Sequence, residues 1–84
     1  MKRQELIEAY EFFEKAERDF NLTKISKKES FVLNRIQNYI IGKDELYILL
    51  SESDIAFCGF TKSRYVETDL NSAIRTLRNE LNKS

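Results

Sequence analysis

The sequence predicts a small all-α domain, and three observations carry that prediction. Apolar residues recur at spacings of three and four through long segments near both ends and in the middle of the chain, the pattern of helices with one buried face. There is no proline and only two glycines among 84 residues, so little in the chain interrupts a helix. Serine, aspartate and glycine fall where the periodic segments begin and end, the positions where helices are capped and stopped. The expectation is a single domain over residues 1–84 with four to five helices. The alternative is an α–α–β-hairpin–α arrangement.

The first segment, residues 4–20, places Leu6, Ala9, Tyr10, Phe13, Ala16 and Phe20 on one stripe, with Ile7 and Phe12 widening it. Glu11–Lys15 and Glu14–Arg18 are i,i+4 pairs in the favourable orientation. The five glutamates of this segment read as a solvated face. Residues 21–26 form a connection, and Ser26 with Glu29 matches a capping box. The second helix is expected from about Lys27 to Ile41, with Phe31, Val32, Leu33, Ile36, Tyr39, Ile40 and Ile41 giving a broad apolar surface. That breadth marks it as the most buried helix, and Gly42 supplies the left-handed stop.

Residues 43–60 admit two readings. In one, Asp44 caps a short helix, and a further helix runs from Ser51 as N-cap to Gly59 as stop. In the other, residues 45–50 and 55–60 are two strands of a hairpin turning at 51–54, because short apolar runs cannot be assigned by periodicity alone. The punctuation at both ends favours helix. From Lys62 to about Asn82 the helical pattern is clear, with Val66, Leu70, Ala73, Ile74, Leu77 and Leu81 on one stripe. Arg75, Arg78 and Lys83 lie toward its C-terminus, where cations suit the helix dipole.

Composition excludes most catalytic chemistry. With no histidine, histidine acid–base catalysis, nucleophilic triads and the usual zinc sites are ruled out. Cys58 is the only cysteine, so neither an intramolecular disulfide nor a multi-cysteine metal site can form, and its apolar neighbours suggest a buried structural thiol. No glycine-rich phosphate loop occurs. The expectation is therefore a non-enzyme without metal or cofactor. No segment has the form of a signal peptide or reaches the roughly 20 apolar residues of a membrane span, so a cytoplasmic protein without membrane contact is expected. Net charge is zero, 14 basic against 14 acidic, which counts against a general nucleic-acid binder. The balance shifts along the chain, however, from nine basic and eleven acidic residues over 1–54 to five and three over 55–84.

The C-terminal stretch Ile55–Leu81 carries a specific pattern: Ile55-Ala56, then Gly59-Phe60-Thr61, then Val66, Leu70, Ala73, Ile74, Leu77 and Arg78. It resembles the promoter-reading region of sigma-70-type factors, and the helix-turn-helix of sigma-like phage regulators and LuxR-type regulators. The resemblance covers about 30 residues. It implies a helix-turn-helix-like C-terminal half, with Ala56 at a close helix crossing, Gly59 in the turn, and Phe60 and Val66 filling the angle between helices. It further implies that Lys62, Ser63, Arg64, Glu67 and Thr68 face duplex DNA in the major groove, where a glutamate can read cytosine. A transcriptional regulator of phage or mobile-element type follows, with RNA polymerase as a candidate protein partner and a homodimer as a candidate assembly through the N-terminal helix. The competing expectation is a helical protein-interaction module, an inhibitor or adaptor, without DNA binding. Zero net charge, the acidic first helix and the aromatics Tyr10, Phe12, Tyr39, Tyr47 and Tyr65 motivate it, since tyrosines often anchor interfaces.

Overall fold

The structure, a computed structural model, describes residues 1–23, 26–52 and 63–83 of the chain, and the side chains of Ser26 and of residues 63–69 lie outside that description. Four helices make up the described residues: α1 (Arg3–Thr23), α2 (Ser26–Ile40), α3 (Asp44–Glu52) and α4 (Ser63–Lys83). No strand occurs among them, so the domain is all-α. Residues 44–52 being helical removes the hairpin alternative. Ser51 is the penultimate residue of α3 rather than the cap of a separate helix, and Gly59 lies outside the described residues.

α1 starts where the carbonyl of Lys2 accepts the N–H of Leu6 at 3.1 Å. It runs three residues beyond the expected stop at Phe20. The Thr23 hydroxyl donates to the carbonyls of Asp19 and Phe20 at 2.7 and 3.3 Å, occupying acceptors that a helix end otherwise leaves open. Its stripe is buried as the spacing requires: Leu6, Ala9, Phe13, Ala16 and Phe20 are all in the core. The expected Glu11–Lys15 and Glu14–Arg18 pairs do not close among the described residues. α1 makes an ion pair to a neighbouring helix instead, Asp19 Oδ2 with Arg35 Nη1 at 2.9 Å, each side chain about a third exposed.

α2 folds back antiparallel on α1, since Arg35 meets Asp19 at one end and Tyr39 stacks on Phe12 further along. α2 ends in a four-residue turn in which the N–H of Lys43 donates to the carbonyl of Ile40 at 3.0 Å. Gly42, third in that turn, has φ +81°, the left-handed conformation such turns demand. A Cβ placed there would meet nothing within 4 Å, so Gly42→Ala introduces backbone strain alone. We expect it to lower stability by about 1 kcal/mol, read as a shift of the urea midpoint. Gly42→Asn should lose less, because asparagine tolerates this region.

α4 also runs antiparallel to α1, with Arg3 Nη1 donating to the carbonyl of Leu81 at 3.3 Å and Arg78 Nη2 to Tyr10 Oη at 3.1 Å. The α1–α4 contact is the most extensive in the fold, followed by α1–α2. Both long helices lie along the 37 Å axis of a molecule otherwise 21 Å across. α3 closes the end where α1 begins and α4 finishes, touching both α2 and α4. Glu45 there meets the N-terminal ammonium at 3.3 Å. Leu46 and Leu50, one helical turn apart, point into the core.

α1 thus makes the two most extensive contacts of the fold, with α4 and with α2. Phe31 and Ile41, expected in the core, are 64% and 73% exposed. The buried residues of α2 are Val32, Leu33, Ile36 and Ile40, a stripe that a helix of 3.6 residues per turn places opposite positions 31, 34, 38 and 41.

Candidate functional site

Of the residues expected to face DNA, Ser63, Arg64, Glu67 and Thr68 fall in the first turns of α4. Their side chains, Lys62, and the turn Ile55–Thr61 lie outside the described residues. α4 is described from Ser63 to Lys83. Its far half is anchored in the core through Leu70, Ala73, Ile74 and Leu77.

Along the α1–α4 seam, Asn71, Arg75 and Arg78 of α4 and Glu14, Glu17 and Arg18 of α1 line an open groove of about 340 Å³. Three guanidiniums alternate there with two carboxylates, so the groove has no single sign of charge. Glu17 Oε2 is shielded from solvent without a hydrogen-bond partner, a costly placement for a carboxylate oxygen. The hydrogen bond from Arg78 to Tyr10 pushes the already very basic guanidinium further up, and its carbon lies 5.8 Å from the centroid of the Tyr10 ring.

At the α3 end, Glu5, Glu8, Asp44 and Glu45 line a second cleft with Met1, Tyr39 and Lys43. No group of three or more potential metal ligands converges among the described residues, so these carboxylates do not form a metal centre there. Tyr39 at the edge of this cleft is sandwiched into the fold: it stacks on Phe12 at 3.9 Å between centroids and 8° between planes, and Lys43 Nζ lies 4.9 Å from its centroid. Burial chiefly, and the charge of Glu8 secondarily, push the Tyr39 phenol above its usual 10.0. The unfolded state therefore loses this proton at lower pH than the folded state. Stability from this group is complete below pH 10 and is lost as pH rises through the higher folded value. Urea unfolding at pH 9 and near pH 11 should show a smaller loss in Tyr39→Phe than in the parent chain.

The third feature is the outward face of α2. Phe31, Asn34, Asn38 and Ile41 are all exposed. Phe31 is held in place by Arg35, whose guanidinium carbon lies 5.9 Å from the ring centroid and whose Nη1 is fixed by Asp19. Counting Phe31 and Ile41 into one broad apolar surface hid this face in the sequence. A strict helical count places them with Asn34 and Asn38, away from Ile36. Among the other aromatics, Tyr10, Phe12 and Tyr39 pack against the core, Tyr47 is 50% exposed, and Tyr65 has no described side chain.

Comparison with known protein families, curated proteins and solved structures finds no match. No described helix is long and apolar enough to cross a membrane.

Proposed function

We propose that this protein acts by binding another protein, as a helical interaction module, through the outward face of α2. One observation carries the reading: Phe31 and Ile41, two large apolar side chains at the two ends of the outward α2 face, are exposed to solvent rather than packed in the core. Leaving a phenylalanine or isoleucine in water forgoes roughly 1.5–3 kcal/mol of burial, and aromatic residues are enriched at protein interfaces. The zero net charge and the mixed-sign groove along α1 and α4 suit a protein partner better than a polyanion.

The test is comparative capture from a lysate of the native source, using the whole chain and a Phe31→Ser/Ile41→Ser variant. Both positions are exposed, so the variant should keep its helical circular dichroism. Proteins retained by the parent chain should be retained several-fold less by the variant. Equal retention of every captured protein would remove this face from the interface.

The second reading is a sigma-like DNA-binding regulator, with Lys62, Ser63, Arg64, Glu67 and Thr68 in the major groove. What favours it is that 44–52 is helix, not strand, and that Ser63, Arg64, Glu67 and Thr68 fall on one continuous helix, α4. Anisotropy titration of duplex DNA at low salt decides it. Saturable binding that falls steeply with salt and with Lys62→Ala/Arg64→Ala is expected on this reading, and indifference to that variant counts against the groove assignment.

A further inference from the structure

The geometry points to a second copy of this chain as the occupant of the outward α2 face, docked antiparallel about a two-fold axis level with Ile36. The inference rests on the reading that this face binds protein, and it names the partner. Phe31, Asn34, Asn38 and Ile41 are separated by three, four and three residues, a spacing that reads the same in both directions. Turning the helix end for end about Ile36 therefore lays Phe31 on Ile41 of the second copy, and Asn34 on Asn38. Apolar meets apolar, and each amide meets an amide that can both donate to it and accept from it. A two-fold interface requires this kind of self-complementarity, because every contact is made twice by the same surface.

The charges continue the symmetry beyond the apolar pair. Lys27 and Lys28 are exposed in the first turn of α2, where the positive end of the helix dipole disfavours cations. The last turn of α2, where cations are favoured, holds no basic residue. Antiparallel docking carries the lysines of each copy to the α2 C-terminus of the other. Just past that C-terminus, after Lys43, α3 opens with the exposed Asp44 and Glu45, so the end that the lysines approach is net acidic. A parallel pairing would set lysine on lysine. Glu45 also faces the N-terminal ammonium, which leaves Lys28 and Asp44 as the pair on which to build a test. Phe31 is already oriented by Arg35 and Asp19, so less side-chain freedom is lost on docking.

Sedimentation equilibrium of the whole chain from about 5 µM to about 500 µM, near the range where one-helix interfaces dissociate, reads the proposal. The expected result is a reversible shift from the 10.0 kDa monomer to twice that mass. Phe31→Asp and Ile41→Asp should each raise the dissociation constant at least about tenfold. Lys28→Glu and Asp44→Lys should each weaken association, and the two together should restore it, because the swapped charges again oppose across the two-fold. A chain that stays monomeric throughout overturns the second copy as occupant, while lysate capture still judges the wider protein-binding reading. A dimer indifferent to Phe31→Asp and Ile41→Asp overturns the face, and a charge swap without rescue overturns the antiparallel register.

Discussion

Replacing Phe13 with alanine should leave the protein close to unfolded at room temperature. Phe13 is 0% exposed at the middle of α1, the helix on which α2 and α4 both pack. Its ring is set edge-on to Phe12 at 5.6 Å and 88°, and to Tyr39 at 6.5 Å and 87°, arrangements in which the positive ring edge meets a negative face. Truncation removes the buried ring and leaves a cavity that three helices cannot all close upon, a loss of about 3–5 kcal/mol. A domain of this length has a total margin of about 4–13 kcal/mol, and small ones sit at the low end. The midpoint of thermal unfolding should fall by about 12 °C or more. Phe12→Ala, at a half-buried neighbour whose ring stacks on Tyr39 from the rim, should cost distinctly less. If the two variants unfold at the same temperature, Phe13 is not the centre of the core.

What could be read from the sequence follows from how strictly each helix keeps its period. α1 repeats an apolar or alanine residue at 6, 9, 13, 16 and 20, and all five are buried. α4 repeats at 70, 73, 74 and 77 with the same result. In both, polar residues predominate at the remaining positions, with Ile7, Tyr10, Phe12 and Leu22 as exceptions in α1 and Tyr65, Val66 and Leu81 in α4, so one face stands out as the core. α2 is ambiguous because it carries more apolar residues than one face can hold. The surplus, Phe31 and Ile41, is what ends up outside, and the proposed interface is built on it. In α3, the four apolar residues from Tyr47 to Leu50 leave helix and strand undecided in one dimension. The structure separates them through burial: Leu46 and Leu50 are inside while Ile48, which a strand would place on the same face as both, is 55% exposed. The DNA-reading interpretation depends on Ile55–Thr61, and that stretch lies outside the described residues.

Leu77→Ala is the second large effect, and it isolates what holds α4 in place. Leu77 is 0% exposed and lies between Ala73 and Leu81 on the buried stripe. Ala73, one helical turn before it, is likewise 0% exposed, a small side chain that lets α4 lie close against the core. A contact of that kind has little volume to spare, and its larger side chains supply most of the apolar area. Removing three carbons from Leu77 is expected to cost about 2–5 kcal/mol, toward the upper value where the backbone cannot collapse into the gap. The polar contacts across the seam, Arg3 to the Leu81 carbonyl and Arg78 to Tyr10, are exposed and cannot compensate, since solvent screens such surface contacts. Arg78→Ala should therefore shift the urea midpoint only slightly, while Leu77→Ala shifts it severalfold more. Equal shifts would mean that α4 is held by its rim rather than by its core. In that case its first turns would not sit on a fixed scaffold, as reading a DNA groove requires.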